Sequence, residues 1–131
     1  MDEIDRLAQG LADVLSKGDG ATLAAVFTED YVEEYPQSGE RIEGRETVRR
    51  MLDAFPDGTR PRVRGDWQVT RYDGGFVGEY TLDYGPGGLY RVVGFYTVRA
   101  DRISASREYF AAPFEPADWR RPFVTARGDD R

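Results

Sequence analysis

The sequence predicts a single α+β domain with a mostly antiparallel sheet, and two observations carry this prediction. Apolar residues recur at helical spacing in residues 4–15 and 48–55, whereas from Val63 onward they form strand-like runs separated by glycine-rich turns. Helices and strands are therefore segregated along the chain, as is typical of α+β folds. At 131 residues with 40% hydrophobic content, the chain is long enough for one core. We expect the domain to span residues 1–125 and the tail, residues 126–131, to be disordered.

The first half of the chain predicts three helices and one strand. The apolar stripe in residues 4–15 indicates an amphipathic helix, which "KGDG" ends. A short second helix is expected to carry residues 23–27. The stretch "YVEEYP" then predicts a strand, because Pro36 cannot donate a hydrogen bond to a neighbouring strand. We expect "PQSGERIEG" to be a turn that leads into a third helix between Gly44 and Pro56.

The second half of the chain predicts a series of hairpins. The run "RVRGDWQVTRY" reaches the turn signal "DGG", and three further strand-like runs follow, namely "FVGEYTLDY", "LYRVVGFYTVR" and "RISASREYFA". Short turn sequences separate these runs, so consecutive strands are expected to pair with each other. The pattern therefore predicts a four-stranded antiparallel meander.

The composition excludes several functional classes. The chain has neither cysteine nor histidine, which removes disulfides, thiolate nucleophiles and the usual general base, so proton transfer would fall to Asp, Glu and Tyr. The net charge of −6 argues against a nucleic-acid partner. No apolar run is long enough to span a bilayer, and the N-terminus lacks the features of a signal peptide. We expect a cytoplasmic protein that uses no metal and no cofactor.

The chain resembles the nuclear transport factor 2-like, or SnoaL-like, superfamily, especially bacterial members of it. The resemblance lies in "FTEDYVEEYPQSGERIEGRE" leading into the third helix, in the hairpin series, and in a last strand that ends in "REYF". It implies a strongly curved sheet that forms a cone, a cystatin-like α+β barrel, with three helices closing a pocket for a small-molecule ligand. Because the superfamily includes isomerases, cyclases, dehydratases, hydrolases and non-catalytic binding proteins, both an enzyme and a binding protein remain open.

Glu108 is the first candidate catalytic residue. Side chains alternate along a strand, so Glu108 shares a face with Ser104, Ser106 and Phe110, opposite Ile103. In the epoxide hydrolases of the superfamily, a "WRDYF"-like stretch carries a catalytic aspartate that faces the pocket, and "SREYF" places Glu108 at the equivalent position. The alternative is that Glu108 forms an ion pair with an arginine on a neighbouring strand.

Three further residues are candidates for catalysis, and the resemblance suggests the first two. Glu33 and Glu34 must point to opposite faces of their strand. Matching Pro36 to the corresponding proline of the epoxide hydrolases places Glu34 in the pocket; the alternative is that both glutamates lie in water at the rim of the sheet. Asp83 matches the aspartate of their Arg-x-Asp, although Thr81 replaces the arginine. Ketosteroid isomerases also use a tyrosine as a phenol donor, and four strand tyrosines are open to this role, with Tyr80 the one selected and packing the alternative for each: Tyr80, Tyr84, Tyr90 and Tyr96.

We expect four residues to contact the substrate, and the chain to form a homodimer. The candidate contacts are Trp67, Tyr96, Ser106 and Phe110, although aromatic strand residues also serve in packing. Both faces of "LYRVVGFYTVR" are apolar, so one face is expected to cover the pocket and the other a second copy. The segment after the last strand contains three aromatic side chains and is expected to pack on the domain or its partner: Phe114, Trp119 and Phe123.

Overall fold

The computed structural model describes residues 1–64 and 67–128, so the last three residues of the expected tail lie outside the described part of the chain. It confirms an α+β fold in which the sheet is mostly antiparallel. The described helices are α1 (Glu3–Lys17), α2 (Gly20–Val26) and α3 (Arg45–Asp53). The described strands are β1 (Phe27–Tyr35), β2 (Glu40–Glu43), β3 (Arg62–Val63), β4 (Gln68–Tyr72), β5 (Gly75–Asp83), β6 (Leu89–Arg99) and β7 (Arg102–Ala111).

The three α-helices begin and end close to where the sequence signals predict. Asp2 caps α1 by accepting a hydrogen bond from the backbone N–H of Asp5 at 2.9 Å, and Asp19 caps α2 through the N–H of Thr22 at 2.7 Å. The prediction that Phe27 belongs to the second helix is wrong. Its backbone is extended, and its ring stacks on Tyr31 at 3.9 Å, so it is the first residue of β1.

The described strands form one sheet in the order β2-β1-β7-β6-β5-β3, with β4 also paired to β5. The predicted meander is confirmed as β4-β5-β6-β7, and β1 pairs with β7 in parallel. Strand β2 was missed because it lies within "PQSGERIEG", which was expected to be a turn. No described strand joins the two ends of this order, so the sheet is not closed into a barrel, and the cone that the resemblance implies is not confirmed.

A bulge in β7 changes which side chains face the helices. Thr97 of β6 pairs with Ala105, whereas the next residue, Val98, pairs with Ile103, so Ser104 is an extra residue on β7. As a result Ile103 is buried, as are Ser106 and Glu108. The expectation that Ile103 faces away from these two residues is wrong, because strict alternation does not hold across a bulge.

The helices cover one face of the sheet, called here the inner face, and the main core lies between them. The buried core comes from the helices and from β1, β5, β6 and β7, and it includes Leu7, Val14, Leu23, Val26, Phe27, Tyr31, Val48, Leu52, Phe76, Tyr96 and Ile103. Two residues of this core, Tyr31 and Tyr96, also belong to the candidate site, so the packing of the core fixes their positions. None of the described helices is long and apolar enough to cross a membrane.

The segment after β7, residues 112–128, is called here the C-terminal arm. It contains a short 3-10 helix, Asp118–Phe123, and its aromatic side chains are exposed: Phe114 by 76%, Trp119 by 72% and Phe123 by 81%. The expectation that these side chains pack on their own domain is wrong. Packing of the arm on a second copy stays a prediction.

Candidate functional site

A cavity of about 90 Å³ lies between α1, α3 and the inner face of the sheet; we call it the inner cavity. Its walls are mainly apolar and aromatic, but two carboxyl groups, those of Glu33 and Glu108, also line it. A second hollow of about 420 Å³, the vestibule, shares five lining residues with the inner cavity: Tyr35, Met51, Phe55, Tyr84 and Phe110. A ligand can therefore place one end at the carboxyl groups and extend into the vestibule.

Two adjacent parallel strands bring the two carboxyl groups together. Glu33 lies on β1 opposite Ser106 of β7, and Glu108 follows two residues later on the same face of β7. Both residues are buried, with exposed fractions of 7% for Glu33 and 8% for Glu108. Buried carboxyl groups need hydrogen-bond partners, and here the partners are tyrosine phenols rather than arginines.

Both oxygens of Glu33 accept hydrogen bonds. Tyr31 donates its phenol hydrogen to Oε1 at 2.7 Å, and Tyr35 donates to Oε2. The Ser106 hydroxyl lies 2.6 Å from the Tyr31 phenol oxygen; because the single hydrogen of Tyr31 goes to Glu33, Ser106 is the donor in that pair. A chain of donors thus runs from Ser106 through Tyr31 to Glu33. This arrangement suits an ionised Glu33, because both of its oxygens act as acceptors.

Glu108 is held through one oxygen only. Tyr96 donates to Oε2 at 2.7 Å and Tyr80 donates to the same oxygen at 3.2 Å. Oε1 accepts no hydrogen bond from any described residue, although Glu108 lines the inner cavity. The partners of Glu108 are thus two phenols, and the alternative ion pair with an arginine is not found among the described residues. Glu108 therefore has one oxygen available to a molecule in the cavity.

A glycine on β6 makes room for the hydrogen bond between Tyr96 and Glu108. Gly94 pairs with Glu108 across β6 and β7, and a Cβ atom at position 94 would overlap the phenol oxygen of Tyr96. On the neighbouring strand, Gly78 pairs with Gly94, and a Cβ atom there would come within 3.1 Å of the Trp67 ring and 3.2 Å of the Tyr96 ring. Two paired glycines on the inner face thus leave space for the aromatic side chains around Glu108.

Burial raises the pKa of both carboxyl groups. For Glu108, loss of solvation and the nearby charge of Glu33 raise the pKa from 4.5 to about 8, although the hydrogen bonds from Tyr96 and Tyr80 oppose this effect. For Glu33, burial raises the pKa, while hydrogen bonds from Tyr35 and Tyr31 lower it. Burial also raises the pKa of the phenols of Tyr31, Tyr80 and Tyr96. At neutral pH Glu108 accordingly holds a proton that it can donate.

Two of the predicted catalytic residues lie outside the cavity. Glu34 is exposed and its carboxyl group lies 3.6 Å from Arg41, so the expectation that it enters the pocket is corrected: Glu33 does so instead. Asp83 lies 3.6 Å from the Arg64 guanidinium and accepts a hydrogen bond from the backbone N–H of Gly85 at 2.8 Å. Its contacts are those of a turn, and it does not line the inner cavity.

The four predicted substrate contacts divide into two pairs. Trp67 and Phe110 line the inner cavity, as does the predicted catalytic Tyr80. Tyr96 and Ser106 do not line it, because they lie behind the carboxyl groups and hydrogen-bond to Glu108 and to Tyr31. The structure therefore brings Glu108, Tyr80, Trp67 and Phe110 together around the cavity.

The prediction missed the Glu33 side of the site, although the sequence contains a signal for it. Tyr31, Glu33 and Tyr35 alternate along β1, which places two phenols and one carboxyl group on the same face. If the inward-facing residues of β1 had been assigned from these tyrosines, rather than by matching Pro36 to the epoxide hydrolases, Glu33 would have been predicted to face the pocket. Gly78 and Gly94 offered a second signal, because glycine inside a strand often marks the close approach of another group.

The charges around the cavity limit what it can hold. None of the described residues that line it is a lysine or an arginine. Among residues 1–64 and 67–128, no group of three or more Asp, Glu, His or Cys side chains is arranged to hold a metal ion. The site is thus a carboxyl and phenol system within apolar walls. Such a system can donate and accept protons next to an uncharged ligand.

Comparison with known proteins gives one family and many similar folds. The model of the SnoaL-like domain family matches residues 8–106. An NTF-2 like protein of unknown function from Burkholderia xenovorans is 25% identical, with 96% of each chain covered and a TM-score of 0.78. A protein named as a candidate ketosteroid isomerase from Kribbella flavida is 23% identical, covers 98% of this chain and 92% of its own, and has a TM-score of 0.79.

A third similar structure is an LEH-like epoxide hydrolase from Mycobacterium tuberculosis. It is 24% identical, with 82% of each chain covered and a TM-score of 0.65. A search of curated proteins found no match. At these identities the structures show that the fold is shared, and they leave the chemistry to be argued from the side chains.

Proposed function

This chain belongs to the SnoaL-like domain family, and on that premise we propose that it is an acid–base enzyme without a cofactor. Its substrate is a small, largely apolar and uncharged molecule, and its reaction is an isomerisation, cyclisation, dehydration or hydrolysis. Glu108 is the proton donor and acceptor, and Tyr80 and Tyr96 hold it. The similar structures include proteins named as a ketosteroid isomerase, a polyketide cyclase and an epoxide hydrolase, and these activities are compatible with the reaction types proposed here.

The observation that carries the proposal is the unequal use of the two oxygens of Glu108. Both phenols donate to Oε2, so a proton on the neutral carboxyl group belongs on Oε1, the oxygen without a partner among the described residues. That proton can pass to an acceptor atom of the substrate. The resulting carboxylate keeps its hydrogen bonds from Tyr80 and Tyr96, which stabilise the charge that develops there.

Proton return completes the reaction. After donation, Glu108 is a carboxylate and the substrate carries the extra proton. If Glu108 takes a proton from a different atom of the substrate, the product is an isomer and the enzyme is restored. If water attacks the protonated centre instead, the added water gives its extra proton to Glu108 and the net reaction is hydrolysis. If a protonated hydroxyl leaves as water, Glu108 takes a proton from the neighbouring carbon and the net reaction is dehydration. Glu33 remains an anion in each case, so its charge favours the positive centre formed on the substrate.

The charges of the site support an uncharged substrate. An anionic ligand would meet the buried charge of Glu33 with no lysine or arginine among the cavity-lining residues to compensate it. The apolar walls from α1 and α3, including Leu11, Leu15, Met51 and Leu52, suit a hydrocarbon framework. The ligand is therefore expected to be apolar over most of its surface and to have a proton-accepting atom at one end.

The test is turnover by Glu108→Gln, which keeps the shape of the side chain and removes its ionisable proton. We expect kcat to fall by about 100-fold or more, because general acid–base catalysis contributes about 10²- to 10⁴-fold. A panel of small ketones, enones, epoxides and alcohols supplies the substrates. The matched control is Glu34→Gln, which changes the neighbouring exposed glutamate and should leave kcat unchanged.

The alternative is a non-catalytic binding protein of the same fold. Binding of panel compounds in the inner cavity without turnover by the unsubstituted protein would favour it. Turnover that survives Glu108→Gln would contradict the assigned role of Glu108.

We also propose that the chain forms a homodimer through the outer face of the sheet. On this face the centroids of the Phe95 and Tyr109 rings lie 6.2 Å apart, edge to face, and the Arg107 guanidinium lies 4.7 Å from the centroid of the Phe95 ring. Val77, Leu89 and Val93 are only half-buried. The same association would also bury the exposed aromatic residues of the C-terminal arm. Light scattering at tens of micromolar tests this, and a monomeric mass would refute it.

A further inference from the structure

The turn between β1 and β2 contains a side chain that hydrogen-bonds to the backbone of β7. The backbone N–H of Phe110 donates to Gln37 Oε1 at 2.5 Å, and Gln37 Nε2 donates to the carbonyl oxygen of Phe110 at 2.7 Å. A glutamine carboxamide has both an acceptor oxygen and a donor NH2 group, so it can bind both backbone groups of one residue, as a neighbouring strand would. Gln37 therefore holds Phe110 at two points.

This contact continues the sheet beyond the end of β1. The last paired residues of β1 and β7 are Glu34 and Arg107. Pro36 then has no N–H with which to extend the pairing. Three residues beyond Arg107, the side chain of Gln37 takes the place of the missing strand at Phe110. The segment that was expected to be a turn thus contains a residue that orders the end of β7.

Phe110 lies at the junction between the inner cavity and the vestibule, called here the neck. The neck consists of the five described residues that line both hollows: Tyr35, Met51, Phe55, Tyr84 and Phe110. The rings of Phe110 and Tyr35 meet edge to face with their centroids 5.3 Å apart, and the Tyr35 phenol donates to Glu33. The inner cavity of about 90 Å³ is smaller than the cavity of about 150 Å³ that holds benzene. A larger ligand with its polar end at the carboxyl groups must therefore extend through the neck.

We propose that Gln37 is a positioning residue that holds Phe110 at the neck, and that the neck selects ligands which are unbranched where they pass through it. The ligand class is a small oxygen-containing head, such as a methyl ketone or a terminal epoxide, joined to an unbranched apolar chain. Gln37 is not among the described residues that line either hollow, so it acts through Phe110. This inference rests on the proposed function for the identity of the site, but binding alone tests it.

The competing interpretation is that Gln37 only closes the end of the sheet. Loss of Gln37 would then lower stability, and any effect on binding would be the same for ligands of different shape. If Gln37 positions the ring of Phe110, its loss changes which shape binds better. The ratio of two affinities distinguishes these roles, because a general loss of folded protein cancels in the ratio.

The probes are 2-heptanone and 4,4-dimethyl-2-pentanone. These isomers contain the same atoms and the same methyl ketone end, but the second is branched two bonds from its carbonyl carbon. Ligand-observed NMR titration gives Kd for each isomer. We expect the unsubstituted protein to prefer the unbranched isomer. In Gln37→Ala this preference should fall by a factor of about 2–10, the equivalent of one neutral hydrogen bond.

Two further variants show whether the effect passes through Phe110. Ser38→Ala is the matched control in the same turn, because the Ser38 hydroxyl bonds to the carbonyl oxygen of Tyr35 at 3.3 Å and to Glu40 at 2.6 Å. It should leave the preference unchanged. Phe110→Ala removes the ring but keeps the backbone groups that Gln37 binds, so adding Gln37→Ala to it should not change the preference further. If Phe110→Ala does not fold, the comparison of Gln37→Ala with Ser38→Ala decides the question.

The outcomes separate this inference from the proposed function. A reduced preference in Gln37→Ala, with none in Ser38→Ala, supports the role of Gln37 whether or not the protein turns anything over. An unchanged preference in Gln37→Ala, an equal change in Ser38→Ala, or failure of both ketones to bind would overturn it, as would an effect of Gln37→Ala that persists without the Phe110 ring. Loss of turnover in Glu108→Gln together with an unchanged preference in Gln37→Ala would leave the proposed function standing and the role of Gln37 refuted.

Discussion

Glu33 and Glu108 lie on neighbouring strands and are buried to nearly the same degree, but their surroundings differ. Tyr31 and Tyr35 occupy one oxygen each of Glu33, whereas Tyr80 and Tyr96 both donate to a single oxygen of Glu108. Burial raises the pKa of either group, so burial alone does not assign their roles. The distribution of donors does: two hydrogen bonds, one to each oxygen, favour the ionised form of Glu33, whereas one oxygen of Glu108 has no partner among the described residues and can take part in proton transfer.

This difference makes the two residues interdependent. The charge on Glu33 disfavours a second charge nearby and so contributes to the raised pKa of Glu108. In return, the neutral form of Glu108 lets the protein keep one anion, instead of two, beneath apolar walls. Changes at one carboxyl group should therefore be measurable at the other.

The largest effect expected is on stability as a function of pH. The pKa of Glu108 is about 8 in the folded protein and near 4.5 when the chain is unfolded, so the folded state binds more protons between these values. The contribution of Glu108 to the free energy of unfolding should then fall as pH rises between these values, by on the order of several kcal/mol in all, and should level off above pH 8.

Glu108→Gln is the control for this prediction, because glutamine does not titrate. Denaturant unfolding of both proteins between pH 5 and pH 9 gives the difference in their stabilities. That difference should change with pH in favour of the variant. A difference that stays constant over this range would mean that Glu108 does not titrate there.

The next effect concerns the space beneath Tyr96. In Gly94→Ala the new methyl group would overlap the phenol oxygen of Tyr96 and push it away from Glu108. We expect a loss of about 1–3 kcal/mol of stability, as for other overpacked sites, and a reduced kcat. Thermal unfolding measures the first and turnover the second.

Gly20→Ala is the matched control for that substitution. A Cβ atom at Gly20, in the first turn of α2, meets no atom within 4 Å, and its backbone is not in the left-handed region. This variant should be at least as stable as the original protein. Equal behaviour of the two variants would show that Tyr96 does not depend on Gly94.

The smallest effect expected is a shift in the pH dependence of activity. Glu33→Gln removes the buried charge that helps to raise the pKa of Glu108, so that pKa should fall below 8. A reaction that needs protonated Glu108 should then lose activity at a lower pH than in the unsubstituted protein, as seen in the pH profile of kcat. Glu34→Gln should leave the profile in place, and an unmoved profile in Glu33→Gln would mean that the two carboxyl groups are not coupled.

The periodicity of the sequence was sufficient for the three α-helices and for the meander β4-β5-β6-β7, because apolar side chains repeat at different intervals in helices and in strands. It did not reveal β2. Alternation along the last strand also placed Glu108 correctly beside Ser106 and Phe110. The bulge at Ser104 was not predictable in the same way, since an extra residue leaves no local mark in composition. Ile103 was therefore assigned to the wrong face.

The contacts of the site depended on neighbours that are distant in the sequence. Whether Tyr96 holds a carboxyl group or touches a ligand depends on the space over Gly94, which is set by the pairing of β6 with β7. Matching Pro36 to the epoxide hydrolases predicted that Glu34 faces the pocket. The two tyrosines that alternate with Glu33 along β1 indicate instead that Glu33 does.

The most direct test of this account is the pKa of Glu108 itself. The protein is labelled with ¹³C at the glutamate side-chain carboxyl carbons, and Glu108→Gln identifies the Glu108 signal by its disappearance. Titration by NMR should show this carboxyl group losing its proton near pH 8, well above the ordinary glutamate pKa of 4.5. A Glu108 signal that titrates near the ordinary glutamate pKa would mean that the residue is already ionised at neutral pH, and it would contradict the role of Glu108 as a proton donor.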